Sequence, residues 1–219
     1  MKNFRNLIVC LCLFVLASCS VNEQPEMVME KDTMVLSQEN AVIEAIMSRR
    51  SIRQYKSVVV GRDTLQQILT CGINAANGQN KQSWEIRVVD DSTRMKKIVD
   101  LMAKGNPSKT IQDLEGCFRG APVMVFIARD LGYDFSAYDC GLFAGNVMLA
   151  AQSLGVGSIC LGSPVRFINE GSTRDEILNL LQLSEGYELC LCVGLGYADE
   201  SPEAKPRMSE KIPALYILV

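Results

Sequence analysis

Arg49-Arg50-Ser51-Ile52-Arg53 places three guanidinium groups and a hydroxyl within five residues, directly after an apolar helical pattern. Arginine presents a planar, permanently charged fork of donors suited to phosphate oxygens and carbonyl edges. The cluster therefore points to a small anionic ligand. Taken alone, a solvated basic helix end also accounts for it, because arginine complements the negative end of the helix dipole. No histidine occurs in the 219 residues. Ser-His-Asp and Cys-His nucleophile pairs, histidine acid–base catalysis and histidine-ligated metals are excluded with it. Chemistry performed by such a chain resides in a cofactor.

The elements that must carry these residues follow from periodicity. Ser37 is a candidate N-cap, and Val42, Ile43, Ile46 and Met47 follow at helical spacing, which predicts one buried face leading into the arginine cluster. A second helix is predicted over Asp63–Ala75, with Leu65, Ile68, Leu69 and Ile73 as its stripe, broken by Asn77-Gly78-Gln79-Asn80. Trp84–Val89 alternates as a strand. Asp91 and Ser92 open a helix whose face is Met95, Ile98, Val99 and Met102. Residues 104–119 have weak periodicity and read as a mobile cover over the substrate face. Pro122–Ala128 is continuously apolar, hence a central strand.

Ser136–Leu154 is apolar on several sides, the mark of a buried or partner-packed helix, and Gly155-Val156-Gly157 ends it. Ser158–Leu161 and Leu189–Leu195 read as strands, and Cys190 and Cys192 would share one strand face. Ser172 and Asp175 resemble a capping box for a helix bearing Ile177, Leu178 and Leu181. The prolines at 202, 206 and 213 exclude a regular helix thereafter, and Leu215–Val219 can add as a strand. Helices and strands alternate irregularly, with no parallel βαβ run, so the class is α+β or mixed α/β with helices packed on a sheet.

The N-terminus reads as a targeting segment. Lys2 and Arg5 precede the apolar run LIVCLCLFVLA at residues 7–17, which is too short to span a bilayer comfortably. Leu16-Ala17-Ser18-Cys19 resembles a bacterial lipobox, which implies cleavage before Cys19, lipidation of its thiol and a membrane-anchored lipoprotein in the cell envelope, facing out of the cytoplasm. The organisation expected is a signal peptide at 1–18, a flexible tether at 19–37 and one domain at 38–219. At 48% hydrophobic and 21% charged the chain is globular, and a formal charge of −3 lacks the basic footprint of a nucleic-acid binder. Cys71, Cys117, Cys140, Cys160, Cys190 and Cys192 remain after the signal; without a CxxC pair they specify neither a metal site nor a disulfide pattern.

Five separated features converge: Arg49 to Arg53; Ala75 to Trp84 (AANGQNKQSW); the Asp139–Ala151 helix start; Leu154 to Gly162 (LGVGSICLG); and Gly194-Leu195-Gly196-Tyr197 followed by Lys205-Pro206-Arg207. In order and spacing they resemble the nitroreductase family of FMN-dependent oxidoreductases, over about residues 38–219. The resemblance implies an α+β fold, with a mostly antiparallel central sheet flanked by helices and a C-terminal tail reaching a partner subunit. It also implies an intertwined homodimer with FMN at the interface, and small-molecule electron donor and acceptor. Arg49, Ser51, Lys205 and Arg207 match positions that hold the phosphate. Arg53, Asn80 and Gln82 match positions at the ring edge or ribityl chain, where a cation stabilises reduced flavin. Leu161 and Gly162 match the segment along the ring near N5, and Arg50 is counted with the cofactor set without an assigned contact. No protein acid or base is required, since the flavin carries the chemistry. Asn77 and Gly78 replace the Ser-Ser common in the family and Ser83 replaces a proline, which alters loop stiffness beside the flavin.

The implied cycle is ping-pong, with nitroaromatics, quinones or similar acceptors. The alternative is a membrane-tethered flavin-binding or flavin-handling module with little turnover. An outward-facing protein also stands apart from cytoplasmic NAD(P)H, so the donor is either NAD(P)H or another reduced carrier of the envelope.

Overall fold

The computed structural model describes residues 40–211. The signal peptide, Cys19, the tether, Ser37 and the Leu215–Val219 tail lie outside the described residues. Four strands form one antiparallel sheet in the order β1-β2-β4-β3: β1 Trp84–Val89, β2 Val123–Asp130, β3 Gly157–Leu161 and β4 Tyr187–Gly196. Strand β2 is central, as its unbroken apolar run requires: its first six residues are all buried.

Helices cover both faces of the sheet. On one, α3 (Ser92–Gly105), α4 (Ile111–Gly116), α6 (Ser163–Glu170) and α7 (Arg174–Leu180) bury Ile98, Met102, Leu114, Ile168 and Ile177 against Met124, Phe126 and Leu189. On the other, α2 (Arg62–Ile73) and α5 (Ser136–Ser153) bury Leu65, Ile68, Phe143 and Val147 against Val125, Ile127 and Val193. Helix α1 (Ala41–Ser48) packs on α5. The α+β class and the flanked antiparallel sheet expected from the sequence are therefore present.

Several expectations are corrected. Asn40 caps α1, its Oδ1 accepting from the Val42 and Ile43 amides at 3.0 and 3.3 Å. The face of α1 expected to be buried is not: Val42, Ile43, Ile46 and Met47 are 51–69% exposed. Ile73, at the end of α2, is likewise exposed. Residues 104–119 are not a loose cover but contain α4, closed by a Thr110–Asp113 capping box, with Leu114, Cys117 and Phe118 in the core. The Ser172–Asp175 capping box does not form. Thr173 is the N-cap of α7, and its hydroxyl donates instead to the Leu101 carbonyl at 2.6 Å, a tertiary bond that locks α7 to α3.

Helix α6 arises where only a connection was expected, with Pro164 in its first turn. Cys190 and Cys192 face opposite sides of β4. Ile127 pairs with Leu191 and Ala128 with Leu189, so Cys190 is the extra residue of a β-bulge and the alternation breaks there.

Candidate functional site

The arginine cluster follows α1 and runs along the free edge of the sheet. Ser51 bridges Ser158 of β3 in parallel, the Ile52 amide donates to the Ser158 carbonyl at 3.1 Å, and Tyr55 bridges Ala198. Two glycines make room for this path. A Cβ on Gly157 would sit 2.9 Å from Ile52 Cγ1, and one on Gly196 would sit 2.7 Å from both Pro122 and Tyr55. Gly157 and Gly196 are paired across β3 and β4, so the second glycine of each Gly-x-Gly gives clearance for the 51–55 segment. Tyr55 seals the turn by donating from its hydroxyl to the Ile52 carbonyl at 2.8 Å. Burial, then the Glu200 carboxylate, pushes its phenol well above the ordinary tyrosine range, so it stays protonated.

The four polar residues of the cluster have different surroundings. Arg50 is turned back on α1, its Nη1 donating to the carbonyls of Met47 at 2.7 Å and Arg49 at 2.9 Å. It satisfies the orphan carbonyls of a helix C-terminus. Arg53 donates from Nη1 to the Ser51 carbonyl at 2.9 Å, while Glu200 accepts from the Arg53 and Gln54 amides. Arg49 is half-buried, and its guanidinium has no hydrogen-bond or ion-pair partner among the described residues, nor has the Ser51 hydroxyl. Desolvation by the surrounding protein raises the Cys160 thiol pKa, the charge of Cys190 adds to this, and the charge of Arg49 opposes it. Cys160 precedes Leu161 and Gly162 at the end of β3. Leu161 is buried, whereas Gly162, the N-cap of α6, faces open space: a Cβ there would meet nothing within 4 Å.

Asn80 and Gln82 are exposed and adjacent, Gln82 Nε2 lying 3.5 Å from Asn80 Oδ1. Their loop is held from α5. Asp139, 2% exposed, accepts from the Gly78 amide at 3.0 Å and from the Ser83 hydroxyl at 2.6 Å. The only sequence signal for this role is a lone carboxylate in the first turn of an apolar helix. Glu200, which anchors the Arg53 backbone, carries no such signal. Lys205 and Arg207 are exposed, and among the described residues no hydrogen bond or ion pair joins their side chains to the 49–53 segment.

The candidate residues thus fall into two groups at opposite ends of α5. Asp139 ties the Asn80 loop to its N-terminal end. Gln152 ties α1 to its C-terminal end, donating to Ser48 Oγ at 3.1 Å immediately before the arginines. Thirteen residues at about 1.5 Å each separate these anchors by about 20 Å along the helix axis. Within one chain the groups do not converge.

A sequence model of the nitroreductase family matches residues 46–197. The NADPH-flavin oxidoreductase of Vibrio harveyi is 29% identical over 184 residues, 77% of this chain and 70% of that protein. Among solved structures, a nitroreductase with bound FMN from Desulfitobacterium hafniense DCB-2 superposes with a TM-score of 0.70 at 26% identity, over 81% of this chain and 99% of that one. A nitroreductase with bound FMN from Bacteroides fragilis NCTC 9343 gives 0.68 at 25% identity, over 81% and 99%. With the family pattern spanning most of the described domain and the antiparallel sheet in place, this chain belongs to the nitroreductase family.

Proposed function

We propose that this protein is an FMN-dependent oxidoreductase passing electrons by a ping-pong cycle from a reduced donor, NAD(P)H or an envelope carrier, to a nitroaromatic, quinone or similar acceptor. The observation that carries the reading is the half-buried Arg49, unpartnered among the described residues, two positions before Ser51, whose hydroxyl is likewise unpartnered there and whose backbone bridges β3. A guanidinium without a protein partner is available to an anion. The donor set fits FMN: cationic forks for the phosphate, neutral amides for the ring edge, and a glycine where a planar ring can lie against backbone.

FMN held at this site would supply two-electron redox chemistry between donor and acceptor. Arg49 and Ser51, with Lys205 and Arg207, hold the phosphate. Arg53 sets positive charge at the pyrimidine edge, and Asn80 and Gln82 orient the ring or ribityl hydroxyls. Leu161 supplies the apolar floor and Gly162 lets the backbone approach.

Two such sites form in a homodimer, each combining the arginine end of one protomer with the Asn80 end of the other. The roughly 20 Å separation along α5 supports that arrangement, as do the exposed apolar residues on α1 and Leu142 and Tyr138 on α5. Residues 1–18 and Cys19 are read as a lipoprotein signal and anchor that hold the domain in the envelope. Mass analysis of the mature N-terminus tests that reading.

The functional test is anaerobic stopped-flow reduction of the purified yellow protein by NADH, NADPH and a reduced quinol, followed by reoxidation with nitroaromatic or quinone. Bleaching by one donor and recovery with an acceptor are expected, with parallel double-reciprocal plots. A colourless protein indifferent to FMN rejects the reading. A yellow protein that no donor bleaches leaves a flavin-binding module.

A further inference from the structure

The segment carrying Asn80 and Gln82 has a contorted backbone. Gln79, Asn80 and Gln82 are all left-handed, with φ of 55°, 54° and 50°. Residues with side chains hold such angles only where their surroundings impose them. Here the surroundings are a buried carboxylate. Asp139 has no ion-pair partner among the described residues, and its two oxygens are satisfied by Gly78 N–H on Oδ1 and Ser83 O–H on Oδ2. Gly78 and Ser83 bracket the four residues between them, so one carboxylate ties both ends of the loop. Asn77, just before the loop, closes it further, accepting the Gln82 amide at 2.9 Å and donating to the Ala75 carbonyl at 3.2 Å. The first turn of α5 is a favourable place for a negative charge.

Both anchor positions are ones where this chain departs from the pattern it otherwise resembles. Gly78 stands in place of a serine. A Cβ there would lie 2.1 Å from the Tyr133 hydroxyl, so a serine would require the Tyr133 side chain to shift. Ser83 stands in place of a proline. Proline would offer Asp139 no hydroxyl and would drive the preceding Gln82 toward extended backbone, away from its φ of 50°.

We propose that Asp139 is a positioning residue for flavin recognition: by gripping Gly78 and Ser83 it sets the left-handed Asn80–Gln82 turn that presents their amides to the cofactor, replacing with a buried hydrogen-bond clamp the stiffness a proline would give. The proposal rests on the FMN reading above. Asp139 is buried with both oxygens engaged, so it acts through Asn80 and Gln82.

The test is a cycle of variants in the full chain, read as FMN release from the yellow holoprotein on dilution and paired with a melting curve for each. Loss of a hydrogen bond to a charged group weakens what it positions by roughly tenfold or more. Asp139→Asn and Ser83→Ala should therefore each loosen FMN, Asp139→Asn by about tenfold and Ser83→Ala by less. In an Asn80→Ala/Gln82→Ala background, the same changes should cost little more, because the groups they position are gone. Effects that multiply in full there, or FMN release as slow as wild type in both single variants, overturn the role of Asp139. If Asp139→Asn fails to fold, the Ser83→Ala arm of the cycle decides. A wild-type protein that binds no FMN overturns the flavin reading and the proposal together, whereas a wild type that binds while the clamp variants bind equally well sinks only the clamp.

Discussion

Helices α1 and α3 carry nearly the same apolar signal and meet opposite fates. Val42, Ile43, Ile46 and Met47 recur on α1 as Met95, Ile98, Val99 and Met102 recur on α3. The α3 stripe lies in the core with Ile98 and Met102 fully buried, while every residue of the α1 stripe is at least half exposed. The remainder of each helix differs accordingly. Arg94, Lys96, Lys97, Asp100 and Lys104 give α3 a solvated outer face, but Glu44 and Ser48 are the only polar residues of α1. Eight residues are too few for an isolated helix to persist in water, so α1 depends on what packs against it. Helical periodicity states that a face must be covered; it does not state by what.

The sharpest way to break this contrast is one substitution made in both stripes. Ile98→Asp places a carboxylate in a fully buried apolar site, a cost of several kcal/mol against a total stability of about 5–15 kcal/mol. We expect that chain to fail to fold, seen as loss of cooperative melting. Ile46→Asp should fold, melt cooperatively and run as a monomer by light scattering, with FMN released because each site loses its second half. If Ile46→Asp stays dimeric, the α1 face is not the interface. A gentler pair grades the same contrast. Met102→Ala should cost about 2–5 kcal/mol, and Met47→Ala no more than about 0.5 kcal/mol in dilute protein.

A comparable contrast separates two adjacent arginines. Arg49 is half-buried with no partner among the described residues, while Arg50 is spent on helix carbonyls. Arg49→Ala should weaken FMN by roughly 10- to 100-fold, the worth of a charge-assisted contact. Arg50→Ala should leave FMN affinity within about twofold and lower stability by about 0.5–1.5 kcal/mol. FMN titration of both variants checks this, and equal losses would return Arg50 to the cofactor set.

What was legible in the sequence tracks how local its cause is. All four strands, and the helices at 62–73, 92–105 and 136–153, follow from periodicity and turn residues within a few positions. The Ser163-Pro164 start of α6 was readable too, but the helix is short and its apolar positions, Val165 and Ile168, are few. Elsewhere a distant partner decided. Thr173 gives its hydroxyl to Leu101, which removes it from a local cap. Cys190 becomes a bulge because of how β4 pairs with β2. The same holds at the site. The arginines and the Asn80 loop announce themselves as motifs, yet their lying at opposite ends of α5 is set by tertiary packing. The hold of Asp139 on Gly78, 61 positions away in sequence, has no local signature.

The cap residues give the most discriminating comparison about α1, because their substitution leaves the apolar surface untouched. Asp91 caps α3 by accepting the Arg94 amide at 2.7 Å, and Asn40 caps α1 through Val42 and Ile43. Replacing either by alanine removes about 1 kcal/mol of helix stability. Helix α3 is part of the cooperative core, so Asp91→Ala should lower the melting temperature by about 2–4 °C at any protein concentration. If α1 is held mainly by a second copy, Asn40→Ala should leave the melting of dilute, monomeric protein almost unchanged. It should instead weaken dimerisation by about 30-fold, about fivefold for the 1 kcal/mol lost in each of the two copies, measurable by light scattering on dilution. Equal melting losses in the two variants would mean that α1 folds with the rest of its own chain, and that its exposed stripe is an ordinary surface.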